Sequence, residues 1–142
     1  MSKPIIQKVV CGAAVMNGGK VLVIRRSLKE ETFPGMWELP SGKKENLESP
    51  DQAMVREVKE ETGLDVTAGS PFQVFSYSVE KEYEIRDTTQ INYKVKLADS
   101  NPKIVLSTEH EAFAWVTLQD VSRYDLSVET KNVLKLVFSE HG

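Results

Sequence analysis

Apolar positions along the chain come in short runs set off by turn residues. Lys8 to Met16 carries Val9, Val10, Ala13, Ala14 and Val15, a run too continuous for a strand with one face in water. Asn17-Gly18-Gly19 is a strong turn signal, and Lys20 to Arg26 follows as the return strand of a hairpin. Ser27 to Gly35 is polar and holds Pro34-Gly35, which predicts a loop; Met36 to Leu39 predicts a short strand that Pro40 ends.

The period changes at Ser49. Ser49 suits an N-cap, Pro50 the first helical position, Gln52 completes a capping box, and Gly63 is placed to stop the helix. Phe72 to Val79 and Glu84 to Leu97 then read as an antiparallel pair turning around Glu80-Lys81-Glu82. Ala112 to Thr117 predicts a last strand, and Val128 to Phe138 is the most periodic part of a C-terminal helix. The expected fold is a mixed sheet with helices packed on it, α+β or mixed α/β, with residues 1–142 as one domain.

Composition narrows the partners. The chain has 142 residues, 40% of them hydrophobic and 27% charged, with a net charge of −3. Basic residues cluster on no predicted face, which argues against long DNA or RNA and leaves a small phosphorylated metabolite open. Cys11 lies in an apolar run and is expected to be a buried, inert thiol. With no signal-peptide core and no membrane-length apolar run, the cytoplasm is the expected location and no membrane is an expected partner.

The helix Pro50 to Thr62 carries the chemistry. At about 100° per residue, Glu61 lies roughly 40° from Glu57 on one side and Glu60 roughly 60° on the other. Met54, Val55, Val58 and Thr62 lie beside them, so the acidic face borders the packing face and does not oppose it. Glu57 and Glu61 repel by roughly 0.2–0.5 kcal/mol at this spacing. Glu60 and Glu61 also sit in the last turn, where the helix dipole disfavours anions. Arg56 and Lys59 relieve part of this, and a hard divalent cation would relieve more. On the helix alone, a solvated charged face is favoured over a metal site.

The preceding loop decides between them. Gly42, then five residues, Glu48, seven more, and Arg56-Glu57-Val58-Lys59-Glu60-Glu61-Thr62-Gly63-Leu64 match the Nudix box at every defined position. The lead-in Met36-Trp37-Glu38-Leu39-Pro40-Ser41-Gly42 and the late Trp115-Val116 strand before a C-terminal helix are also similar to that family, so the chain resembles a compact, MutT-like Nudix hydrolase. The departures are Ser41 where the family often has glycine, and Leu47 where it often has another.

The resemblance implies an α/β/α sandwich with a catalytic loop and helix. It implies that Glu57, Glu60 and Glu61 ligate Mg²⁺, or Mn²⁺ in its place, with the Gly42 carbonyl completing the shell. Glu57 is then also a candidate general base, Arg56 orients a glutamate, and Glu48 either ties the loop to the helix or takes part in proton transfer. Arg25 and Arg26 end a strand whose residues alternate faces, so one of them is expected to point into the cleft, Arg26 being preferred, with a solvated strand end as the equal alternative. Phe33 could stack on a base, whereas Trp37 is expected in the core. Family members often place an extra acid near Glu109 and Glu111, and a charged turn is the alternative. His110 reads as a polar loop histidine. Tyr83 and Arg86 are not separable from ordinary strand decoration.

The substrate markers beyond the box are missing. Val79 and its neighbours stand where ADP-ribose hydrolases tend to carry a proline, and Tyr77 and Tyr83 flank the place of the dinucleoside-polyphosphate tyrosine. The expectation is hydrolysis of a nucleoside triphosphate, with an ordinary or a modified base, to monophosphate and pyrophosphate. The alternatives are ADP-ribose, a nucleotide sugar or another X-linked diphosphate, and a non-catalytic nucleotide sensor. A monomer and a homodimer fit the sequence equally.

Overall fold

The structure is a computed structural model that describes residues 2–97 and 102–141. Strand β1 (Ile5–Asn17) turns back into β2 (Lys20–Arg26), with Met16 opposite Val21 and Asn17 opposite Lys20. Gly18 and Gly19 form the two-residue turn at φ of 59° and 77°, the left-handed pair such a hairpin requires. Two short strands follow, β3 (Trp37–Glu38) and β4 (Ser41–Lys43), and then helix α1 (Pro50–Thr62). The long strands β5 (Val66–Glu80) and β6 (Ile85–Leu97) lead to β7 (His110–Val116), a 3₁₀ turn at Leu118–Arg123 and helix α2 (Val128–His141).

β1 organises the sheet. It runs parallel to β6 from Ile5 to Val15, and β6 pairs antiparallel with the edge strand β5. On the other side β4 pairs with the middle of β1, while β2 carries β3 and β7. Strand alternation then divides the core. Cys11, Ala13, Val15, Leu22 and Ile24 face Ala53, Met54 and Val58 of α1; Ala14, Val21, Val23 and Val116 face Val133, Leu134 and Val137 of α2. This two-sided cover explains the unbroken apolar run of β1. Cys11 is buried, as expected, and its thiol is pushed up to about 11 by that burial.

Several elements differ from the sequence expectation: β1 begins at Ile5 and not at Lys8, and Ser41–Lys43 adds the strand β4. β5 begins six residues earlier than Phe72, because Gly69-Ser70-Pro71 is absorbed as an irregularity in the pairing with β6. An edge strand tolerates the missing proline N–H there. The 3₁₀ turn was not expected; Asp120 anchors its start by accepting from the Thr117 N–H at 3.0 Å. β7 begins at His110 and not at Ala112, through a bulge described below.

Candidate active site

Capping fixes the register of α1 and hence its acids. The Ser49 hydroxyl accepts from the Gln52 N–H at 3.1 Å, the Gln52 side chain accepts from the Ser49 N–H at 2.9 Å, and Gly63 closes the helix at φ 76°. Ala53, Met54, Val58 and Thr62 are buried against the sheet, and Glu61 goes in with them, only 6% exposed. The acidic face thus borders the packing face, as the wheel predicts.

Glu61 accepts from the Ser41 N–H at 2.8 Å. Burial pushes its carboxyl up to about 9, against the pull of that hydrogen bond, and Glu38, Glu57 and Glu109 add repulsion. Glu57 accepts from Arg56 Nη1 at 2.8 Å and is also raised, first by burial, with Glu60 and Glu109 adding to it. Glu60 is exposed and lies 3.3 Å from the same Arg56 nitrogen. Gly42 packs directly under the Glu57 carboxylate, so closely that a Cβ there would overlap it. Glu57 and Glu61, their carboxyls raised chiefly by burial, offer oxygen donors of the kind that suits a hard divalent cation.

Arg56 is the organiser of the box. Its Nε and Nη2 donate to the two oxygens of Glu48 at 2.7 and 2.9 Å, and Nη2 also donates to the Lys43 carbonyl at 3.0 Å. Glu48 further accepts from the Glu45 N–H at 3.0 Å, so it ties the loop to the helix and does not line the cleft.

The cleft itself encloses about 760 Å³. Gly42, Glu57, Glu60 and Glu61 line it, joined by Arg26, Phe33, Trp37, Glu38 and Glu109. Arg26 points in, while Arg25 points away to bond the Gly35 carbonyl and pair with Glu111 at 3.1 Å. Of the two acids near β7, Glu109 therefore reaches the cleft and Glu111 does not. Phe33 stands at the rim, 55% exposed and at φ 50°. Trp37 is partly buried against Tyr124, edge to face at 4.9 Å, which agrees with a core role even though it also borders the cleft.

His110 corrects the sequence reading. It is the first residue of β7, 4% exposed, with Nε2 2.8 Å from Glu38 Oε2. The pairing shifts between Arg25 and Arg26, so His110 faces Arg26, Ala112 faces Arg25, and Glu111 is left over. A bulge of this kind re-aims side chains, and alternation counted back from Ala112 could not show it. Glu38, which sequence reasoning did not single out, bridges His110 and Arg26, accepting from Arg26 Nη1 at 3.3 Å. Glu38, Glu61 and His110 bring their ligand atoms within 4.8 Å of one another. The signal available in the sequence was the acid inside the lead-in Trp37-Glu38-Leu39-Pro40.

The cleft has a second pole. Lys8, Lys43, Lys81 and Arg86 line its other end. The Lys43 ammonium is pushed below its ordinary range, first by desolvation and then by Arg86, Lys8 and Lys81. Tyr83 is exposed and lies outside the cleft lining.

Comparison with known proteins decides the family. The model of the NUDIX domain matches residues 6–137. The chain belongs to the Nudix family. Its similarity to the nucleoside triphosphatase NudI of Escherichia fergusonii is 31% identity over 92% of this chain and 96% of that protein. Among solved structures, the MutT protein from Methanosarcina mazei Go1 superimposes with a TM-score of 0.79 at 26% identity, covering 99% of this chain and 97% of that one. The MutT NUDIX hydrolase from Burkholderia pseudomallei does so at 0.71 and 28%, covering 92% and 97%. This Nudix protein is accordingly an enzyme that hydrolyses pyrophosphate bonds. Nudix hydrolases generally need a divalent metal, and Glu38, Glu61 and His110 form a group that could hold one. Among the described residues, no helix is long and apolar enough to cross a membrane.

Proposed function

We propose that this Nudix hydrolase cleaves a nucleoside triphosphate, with an ordinary or a chemically modified base, to the monophosphate and pyrophosphate. The observation that carries the reading is the placing of Glu57, Glu60 and Glu61 along one wall of the cleft, with the Glu57 carboxylate lying on Gly42. The similarity to a nucleoside triphosphatase favours this substrate over a diphosphate capped by a sugar.

Mg²⁺ is the cation that best suits oxygen donors of this kind, with Mn²⁺ as a substitute. Glu57, Glu60, Glu61 and the Gly42 carbonyl would hold it. When bound, a divalent cation neutralises phosphate oxygens and makes an attacking water more acidic. Glu57 would take that water's proton. Arg56 keeps the Glu57 carboxylate in place, and Glu48 keeps Arg56 in place. Arg26 sits where it can meet a phosphate oxygen, and the exposed ring of Phe33 offers a stacking face for a base. Glu109 adds a further acid to the same wall.

The test is a substrate panel of nucleoside triphosphates, ADP-ribose and nucleotide sugars with Mg²⁺, with chelator and Glu57→Gln as controls. Triphosphates should be turned over best and both controls should abolish turnover. A preference for ADP-ribose or a nucleotide sugar would overturn the substrate, and activity surviving both controls would overturn the mechanism. Nucleotide binding without turnover of any substrate would make the protein a sensor.

A further inference from the structure

The basic end of the cleft is contributed by four separate elements. Lys8 comes from β1, Lys43 from β4, Lys81 from the turn after β5 and Arg86 from β6. The strand register sets them out in order. Val10 lies opposite both Lys43 and Gln90, Lys8 opposite Thr88, and Arg86 two residues further along β6 on the same face. Each such step is ~7 Å, so the cations run from the Gly42 end of the acid wall along the sheet for ~13 Å.

Structure alone gives these charges little return. Among the described residues, the ion pair made within the group is that of Arg86 Nε with Glu84, at 2.9 Å. The Lys81 ammonium donates to the Thr32 hydroxyl at 3.0 Å, a neutral partner. Among the described residues Lys8 and Lys43 form no ion pair. Three positive charges in excess thus share one surface of a protein whose net charge is −3. Like charges packed in this way repel, and a bound polyanion would remove the repulsion.

We propose that Lys8, Lys43, Lys81 and Arg86 form a subsite for the free end of a polyphosphate chain, seating the phosphates that leave as pyrophosphate. The substrate class is then an anhydride with an uncapped, multiply charged terminus, a nucleoside triphosphate or longer, as against a diphosphate whose far side is a neutral sugar. The inference rests on the reading of the neighbouring carboxylates as the place of cleavage, and it adds the direction in which the chain lies. Its own content is binding, which is measurable without turnover.

The experiment is calorimetric titration of inorganic tripolyphosphate into the full chain in the presence of chelator, for wild type, Lys8→Gln, Arg86→Gln and Lys20→Gln. Lys20 is an exposed residue of the β1–β2 hairpin remote from the cleft lining. Thermal melting of each variant confirms that it is folded. Lys8→Gln and Arg86→Gln should each weaken binding by ~10-fold, with Lys20→Gln unchanged. In parallel, both cleft variants should raise KM for the nucleoside triphosphate more than they lower kcat. Equal affinity in wild type and the two cleft variants, or no binding by wild type, would overturn the subsite. Loss of tripolyphosphate binding in a protein that turns over no triphosphate would retain the subsite and overturn the proposed reaction. Triphosphate turnover with KM unmoved by either cleft variant would do the reverse.

Discussion

Arg56 grips Glu48 through two parallel hydrogen bonds, Nε to Oε2 at 2.7 Å and Nη2 to Oε1 at 2.9 Å, while its third nitrogen holds Glu57 at 2.8 Å. One planar guanidinium therefore joins the loop, the helix and the carboxylate that lies on Gly42. A lysine could not reproduce this fork.

That grip has a pH signature. Glu48 is held down to about 2, first by the Arg56 hydrogen bonds and then by the Glu45 N–H, from an ordinary 4.5. A depressed carboxyl stabilises the fold fully above its unfolded value and loses that contribution as pH falls through the folded one. The melting-temperature gap between wild type and Glu48→Gln should be constant above about pH 5 and close between about pH 4.5 and 2. A gap that did not change across this window would show that the pair carries no linkage.

Glu61 behaves in the opposite sense. In the metal-free protein its carboxyl stays protonated up to about 9, while in the unfolded chain it ionises from 4.5. Its contribution to stability therefore falls as pH rises through that interval. Glu61→Gln should match or exceed wild type in metal-free stability at pH 7 and lose the stabilisation by Mg²⁺. For wild type that gain is ~2.7 kcal/mol at a hundredfold excess over Kd, read as a shift in melting temperature. An Mg²⁺ shift of the same size in both proteins would remove Glu61 from the metal site.

Gly42→Ala tests the close approach of loop and helix. The added Cβ overlaps the Glu57 carboxylate, which must then swing aside. A displacement of about 1 Å at such a group is expected to cost ~100-fold in kcat/KM. Circular dichroism should show the fold intact, and activity within a factor of a few of wild type would contradict the assignment.

Leu47 sits at φ 66° with its side chain fully exposed, where the family often has glycine. A left-handed non-glycine residue costs roughly 1–2 kcal/mol, partly offset by the greater chain entropy that glycine loses on folding. Leu47→Gly should stabilise the protein by about 0.5–1 kcal/mol, or ~2–3 °C in melting temperature. A lower melting point would mean that the leucine makes a contribution which its exposure does not reveal.

Much of the site could be read along the chain because its signals are local. The Ser49 cap, the Gly63 stop and the spacing of Glu57, Glu60 and Glu61 all lie within one loop and helix, and a helix repeats its geometry from any starting residue. His110 and Glu38 were hidden for the opposite reason. Their meeting at 2.8 Å depends on a bulge in β7 and on β2 lying between β3 and β7, neither of which leaves a periodic trace. The basic end of the cleft was hidden likewise: Lys8 and Arg86 are far apart in sequence, and the parallel β1–β6 pairing makes them neighbours. β5 runs on through Pro71 because a proline is accommodated at a sheet edge.

The central claim concerns which anhydride is hydrolysed and by what machinery. Phosphorus NMR of a nucleoside triphosphate incubated with the enzyme and Mg²⁺ tests it directly. The predicted result is equimolar nucleoside monophosphate and pyrophosphate, with neither product formed by Glu57→Gln. Nucleoside diphosphate with orthophosphate, or pyrophosphate still released at the wild-type rate by Glu57→Gln, would contradict it.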